Sequence, residues 1–408
     1  MKKKIAALLA LCMLFALVGC AKTNEPEPAL VPDDAAPTAA PEPEPVAEPE
    51  PVAEPEPVAE PEPTEEPAES VEPEPAGPET FFFTDSVGRE VELPINIERV
   101  AISGPLAQIV VFALCPDRLV GIASKWDKSA EQFLATEYYQ LPELGQLYGG
   151  KGELNLETLL LSGAQVVIDV GEPKGSIVED LDALTEQTGI PFVHITASIG
   201  TMGDAYRKLG ELMGMPDEAE ALAAYCDETY AKITKIAGSV EKVDLLYITG
   251  DKGLNVIAKD SYHAEIIDLL SNNLAVVDNP SSKGTGNEVD MEQIMLWNPD
   301  VILFAPGSVY ASVGSDPLWQ GIAAIKNGTY YEVPMGPYNW MGFPPSVQRI
   351  LGMLWMAKLL YPDAADYDLK TEVQTYFRLF YHCELSEADY SALIANSIGA
   401  QEALAPAA

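Results

Sequence analysis

The sequence predicts an α/β fold of two Rossmann-like lobes, with mainly parallel sheets, joined by a single long rigid helix. Three observations carry that expectation. From Thr80 to about Ala395, short apolar runs alternate with amphipathic runs, and such alternation builds βαβ units around parallel sheets. One pattern occurs twice, 135 positions apart: Leu154-Asn155-Leu156-Glu157-Thr158-Leu159 opens the first copy and Val289-Asp290-Met291-Glu292-Gln293-Ile294 opens the second. Between the copies, the stretch after Pro216 reaches about Ile236 without Gly or Pro.

The strand candidates are Arg99–Ile102, Leu119–Ala123, Val166–Val170, Phe192–Ile195, Leu245–Thr249, Asn255–Ala258, Val301–Ala305 and Tyr330–Val333. Helices are expected between them: Ala107–Leu114, Leu156–Leu161, Ile177–Thr188, Gly203–Met213, Ala264–Leu270, Met291–Leu296, Ser346–Leu360 and Lys370–Tyr381. The long helix starts on Pro216-Asp217-Glu218, with Pro in the first turn and acids on the positive end of the dipole. It stops at Gly238. At ~1.5 Å per residue it is a rod near ~30 Å. Such a rod either crosses between lobes or lies on the surface of one domain. The expected boundaries are 80–215 for the first lobe, 216–238 for the connecting helix and 239–398 for the second lobe.

The ends carry an address and a spacer. Lys2-Lys3-Lys4 precedes a short apolar run, Ile5 to Val18. That run is shorter than the ~20 apolar residues a membrane span needs, so residues 1–20 read as an export signal. Its Leu17-Val18-Gly19-Cys20 ending resembles a bacterial lipobox, which implies cleavage before Cys20 and lipidation of its thiol. The alternative is an ordinary cleaved signal with an incidental cysteine. Acylated Cys20 would hold the protein on the lipid bilayer outside the cytoplasm. Residues 21–79 hold half of the 34 prolines and 18 of the 63 acidic residues. Proline blocks regular hydrogen-bond ladders and the carboxylates repel, so the segment is expected to stay disordered and extended. It serves either as a spacer, of reach ~150 Å at ~3.1 Å per residue, or as a solubilising tail.

The formal net charge is −39, and the spacer supplies nearly half of it. The remainder spreads over the folded part, which argues against nucleic acid as a partner. Beyond Cys12 and Cys20 only Cys115, Cys226 and Cys383 remain. Their spacing reads as buried apolar residues rather than disulfides or a metal site. Catalytic patterns are missing: no Gly-x-Ser-x-Gly, no phosphate loop, no His-Glu-x-x-His. The three histidines are His194, His263 and His382, of which His194 and His382 read as structural. No catalytic residue, no protein-held metal and no intrinsic cofactor is expected.

Aromatic loops remain. Trp126, Tyr148-Gly149-Gly150, Tyr262-His263 and the run Pro337-Tyr338-Asn339-Trp340-Met341-Gly342-Phe343-Pro344-Pro345 all follow strands or precede helices. In open α/β sheets ligands sit at the carboxyl ends of strands, and rings lining a cleft bury area with few polar contacts. The candidate cleft residues are therefore Trp126, Tyr148, Tyr262, His263, Tyr338, Trp340 and Met341. Trp340 and Phe343 have an alternative role as core plugs. Only six arginines occur, among them Arg349, so no multi-arginine cradle for a highly anionic ligand is evident.

With those residues in view, the chain resembles the iron-siderophore and cobalamin binding proteins of ABC importers. Thr84-Asp85-Ser86-Val87-Gly88-Arg89, Glu98-Arg99-Val100-Ala101, Leu119-Val120-Gly121-Ile122, Asn155-Leu156-Glu157, Pro299-Asp300-Val301-Ile302 and Trp355-Met356-Ala357-Lys358-Leu359-Leu360-Tyr361-Pro362 carry the likeness, which spans about residues 80–390. It implies two lobes bridged by one long helix, with cargo in the cleft. It also implies that one glutamate on each lobe, here Glu157 and Glu292, docks on the paired permease subunits. Without a partner, a first-turn glutamate simply steadies its helix dipole by ~0.3–1 kcal/mol. The implied cargo is a small-molecule metal complex: a ferric siderophore or haem first, a corrinoid or other metal chelate as the alternative. Tyr262, His263, Tyr338 and Met341 are residue types that ligate haem iron. The competing readings are an anchored extracellular α/β enzyme and a sensor or adhesion lipoprotein.

Overall fold

A computed structural model describes residues 80–148 and 153–404. The signal segment with Cys20, the spacer 21–79 and the pair Gly149-Gly150 lie outside the described residues. An antiparallel hairpin comes first, β1 (Thr80–Thr84) and β2 (Glu90–Pro94), with Phe83 opposite Val91. Both face inward. The first sheet is wholly parallel, in the order β3 (Val100–Ile102), β4 (Val166–Gly171), β5 (Phe192–Thr196). Every residue of β4 is buried, as a central strand covered on both faces requires.

The second sheet contains β6 (Asp244–Thr249), β7 (Asn255–Val256), β8 (Asn272–Asn273), β9 (Asn287–Glu288), β10 (Val301–Phe304) and β11 (Tyr330–Glu332). Its order is β11-β10-β6-β7-β9, with β8 beside β6. The β6, β8, β10 and β11 pairings are parallel, but β7 runs antiparallel to β6 and β9. The cause is a tight turn, Gly250-Asp251-Lys252-Gly253. Both glycines have positive φ, 77° and 65°, so the chain folds straight back. The expected strand Leu119–Ala123 makes only isolated bridges, Val100 to Leu119 and Ile122 to Glu143. The segment Pro142–Leu144 crosses it so closely that a Cβ on Gly121 would lie 2.6 Å from Leu144 Cγ.

The long helix is Pro216–Ala237, 22 residues. It follows helix Met202–Met213 and precedes β6. Gly210 lets those two helices meet, since a Cβ there would stand 2.4 Å from Ala219 Cβ. Arg207 pins the contact through Glu220 at 2.7 Å and Asp227 at 2.8 Å. The long helix also packs on Pro105–Leu114 from the first half and on Glu265–Leu270 and Arg349–Leu360 from the second. One continuous core therefore includes Phe112, Leu209, Ile233, Trp355 and Phe377. Burying each such side chain contributes ~1.5–3 kcal/mol. Cys115 and Cys226 are buried free thiols inside it, and burial pushes the Cys115 thiol up to about 12.

Helix Arg349–Leu360 lies directly on the aromatic loop. A Cβ on Gly352 would sit 2.3 Å from the Trp340 carbonyl oxygen, and backbone cannot yield as a flexible side chain does. Gly352→Ala is expected to destabilise by ~1–3 kcal/mol, although an interior Gly→Ala otherwise favours a helix by ~1 kcal/mol. Thermal unfolding measures the sign.

Candidate ligand-binding site

The loop after β5 and the start of helix Pro105–Leu114, which follows β3, meet loops of the second sheet. The Tyr262 hydroxyl donates to the Ala197 carbonyl, just past β5, at 3.5 Å. Ser346 Oγ donates to the Leu106 carbonyl at 3.0 Å. Gln108 Nε2 donates to the Tyr338 hydroxyl at 2.8 Å. The strand ends of both sheets thus converge, the position where open α/β sheets hold ligands.

At this junction Tyr262, His263, Glu265, Phe343 and Arg349 form one group. Arg349 is 1% exposed. Its Nη1 donates to the Tyr262 carbonyl at 3.1 Å and to the Glu265 carboxylate. Its guanidinium lies 4.9 Å from the centre of the Tyr262 ring. The Nε atom is buried and has no hydrogen-bond partner. The group therefore holds a guanidinium paired with one partly exposed carboxylate, and one enclosed, unused donor. Burial raises the Tyr262 phenol, Arg349 opposes that rise, and Glu265 and Glu172 add to it.

His263 donates from Nδ1 to the Gly342 carbonyl at 3.3 Å, leaving the Nε2 lone pair in the neutral ring. Burial is the main cause of its lowered pKa; carbonyls of Gly342 and Ser282 oppose it and Arg349 adds to it. The histidine and Phe343 rings lie over Gly284, where a Cβ would stand 2.3 Å from Phe343 and 3.2 Å from His263. Phe343 remains 58% exposed. A depressed histidine pKa means that the unfolded chain takes the proton first. Stability is full above the unfolded value of ~6.5 and falls as pH drops below it. His263→Gln should flatten the dependence of unfolding free energy on pH between ~5 and ~6.5. Urea titrations at several pH values test this.

The other expected residues separate. Trp126 and Tyr338 pack on each other at 5.5 Å, both buried, with the Trp126 indole donating to the Tyr138 carbonyl at 3.1 Å. Trp340 is fully enclosed and its indole donates to the Gly336 carbonyl at 3.2 Å. Met341 is buried beside it. Asn339 causes the split, because its side chain donates to the Tyr247 hydroxyl at 3.0 Å and accepts from the Met341 amide at 2.8 Å. That fold turns Trp340 and Met341 inward and leaves Phe343 outside. Tyr148 stands apart, donating to Asp180 at 2.6 Å. Arg349 and Glu265 were not among the candidates from sequence. The available signal was a lone arginine opening an otherwise apolar helix start, Arg349-Ile350-Leu351.

Two further features bear on chemistry. Asp169 accepts from Ser103 Oγ and from His194 Nδ1, the latter at 2.6 Å. The carboxylate sits between serine and imidazole, so the serine lacks the adjacent base that a nucleophilic triad needs. A cavity of about 230 Å³ lies elsewhere, lined in part by Gln132, Glu332, Asp389 and Asn396. Its two carboxylates disfavour an anion.

The two glutamates occupy matching places. Glu157 is in the first turn of helix Leu156–Leu161, where Asn155 caps by accepting from the Thr158 amide at 3.0 Å. Glu292 is in the first turn of Met291–Trp297, where Asp290 accepts from the Gln293 amide at 2.8 Å. Both glutamates are exposed.

Residues 117–335 match the periplasmic binding protein family. The chain belongs to that family. A curated relative is the molybdate-binding protein MolA of Haemophilus influenzae, 27% identical, with 73% of this chain and 90% of the relative covered. Among solved structures, an ABC transporter solute binding protein from Sulfurospirillum deleyianum is 28% identical at a TM-score of 0.70, covering 76% of this chain and 98% of that one. A periplasmic solute binding protein from Veillonella parvula is 27% identical at 0.65, covering 78% and 98%. The binding protein is thus a solute carrier for an ABC transporter, which pairs with permease subunits and takes a small-molecule ligand. It is not an enzyme, so the hydrolase or reductase alternative falls.

Proposed function

We propose that this binding protein is tethered outside the cytoplasm by acylated Cys20, captures a small anionic metal complex beside Arg349, and delivers it to permease subunits through Glu157 and Glu292. The observation that carries the cargo class is the buried Arg349 with an unpartnered Nε, set among Tyr262, His263 and Glu265. A strongly acidic protein repels anions over most of its surface, so an anion needs one local, desolvated cation. Charge-assisted bonds to that cation then supply specificity. The name of the Haemophilus influenzae relative, a molybdate binder, agrees with an anion. The enclosure of Trp340 and Met341 removes apolar area that haem or a corrinoid would need.

An iron complex is the second reading. The exposed Phe343 ring beside His263 favours it, because it offers a face on which a flat chelate could lie. The long helix serves as the strut between two lobes under either reading. A thermal-shift panel separates the cargo classes: molybdate, tungstate, a ferric hydroxamate, a ferric tricatecholate, haem and cobalamin. At ~100 times its dissociation constant the cargo should add ~2.7 kcal/mol, a midpoint rise of several degrees. Stabilisation by the ferric hydroxamate, cobalamin or haem alone, or by none of the six, overturns the anionic reading.

A further inference from the structure

Helices Leu156–Leu161 and Met291–Trp297 share more than an acid. Each is fixed to the body by one buried side chain, Leu159 in the first and Ile294 in the second. Each also leaves two large apolar side chains in water. Leu160 and Leu161 are 51% and 81% exposed, and Met295 and Leu296 are 41% and 79% exposed. These pairs stand three and four residues after Glu157 and Glu292. At ~100° per residue, an acid and its two apolar neighbours fall within one ~100° arc of helix surface. Among the described residues, neither glutamate makes an ion pair.

A single exposed leucine is ordinary. Here four large apolar side chains, repeated in register beside the same acid, keep two-fifths or more of their surface in water. We propose that each helix presents a compound docking face, a glutamate flanked by two apolar side chains. The partner is a protein with two equivalent surfaces, each a basic side chain set in an apolar rim. This rests on the reading that Glu157 and Glu292 dock, and adds what surrounds them. Charge complementarity fixes the basic centre. The apolar flanks exclude water from the ion pair, as a rim around a hot spot does, and an ion pair is stronger where the dielectric is low. A lipid surface is the wrong partner, since anionic headgroups repel both the glutamates and a chain of net charge −39.

The test uses the full chain carrying Cys20→Ser, so that no acyl anchor binds the vesicles, in three forms: otherwise wild type, Leu161→Gln with Leu296→Gln, and Glu157→Ala with Glu292→Ala. Each is titrated against phosphatidylcholine proteoliposomes holding the cognate permease and ATPase subunits, and against protein-free phosphatidylcholine vesicles. The glutamine pair is expected to lose at least tenfold in affinity for the proteoliposomes, with cargo affinity unchanged. Full affinity in the glutamine pair, with loss in the alanine pair, overturns the apolar flanks and leaves glutamate docking intact. Full affinity in both variants overturns docking itself. Equal binding of wild type to protein-free vesicles makes the patch a lipid contact, and dimerisation that the glutamine pair abolishes makes it a self-interface; either result overturns the proposal.

Discussion

Arg349→Gln should weaken cargo capture and also lower the unfolding midpoint, for separable reasons. One charge-assisted bond from its unused Nε to an anion, at ~1.5–3 kcal/mol, corresponds to a loss of ~10- to ~100-fold in affinity. The stability effect has a different origin. Arg349 is enclosed, and its removal strands Glu265 without its counter-ion. Breaking a buried pair from one side costs ~3–5 kcal/mol. The Glu265 side chain keeps 27% exposure, so water recovers part of that, and ~2 kcal/mol is the expected loss. Adding Glu265→Gln should restore stability without restoring binding. Calorimetric titration and thermal unfolding of the three forms measure both. Tight anion binding by Arg349→Gln would remove Arg349 from the site.

The second large effect belongs to the glutamate pair. Glu157→Ala with Glu292→Ala should abolish cargo uptake by cells while the dissociation constant for cargo stays unchanged. Losing one partner of a desolvated interfacial pair costs ~2–5 kcal/mol, so losing two costs ~4–10 kcal/mol, at least several hundredfold. The same change costs each helix only the ~0.3–1 kcal/mol of its dipole term, too little to unfold the protein. Each single variant should fall between wild type and the double. Unchanged uptake would reduce both residues to helix-start acids.

Much of this was legible because it is local. The apolar runs Val166–Val170 and Leu245–Thr249 became central strands, and Asn155 and Asp290, two residues before each glutamate, cap their helices. The 135-residue repeat survived folding as two similar helix starts. The antiparallel β7 was legible too, in Gly250-Asp251-Lys252-Gly253, but lay inside an apolar pattern that parallel strands share. The site was harder, because which way a loop residue faces is decided at long range. Asn339 reaches Tyr247, 92 positions away, and that bond puts Trp340 inside and Phe343 outside. Arg349 was hidden by counting. Six arginines argue against a multi-arginine cradle, yet one buried arginine suffices for one small anion.

The claim that this protein holds an anionic metal complex beside Arg349 is tested most directly by anomalous diffraction. Crystals of the binding protein would be soaked with molybdate and, separately, with tungstate. One metal peak is expected in the group formed by Tyr262, His263, Phe343 and Arg349, absent from crystals of Arg349→Gln. A peak in the cavity beside Glu332 and Asp389, or one that persists in the variant, would contradict it.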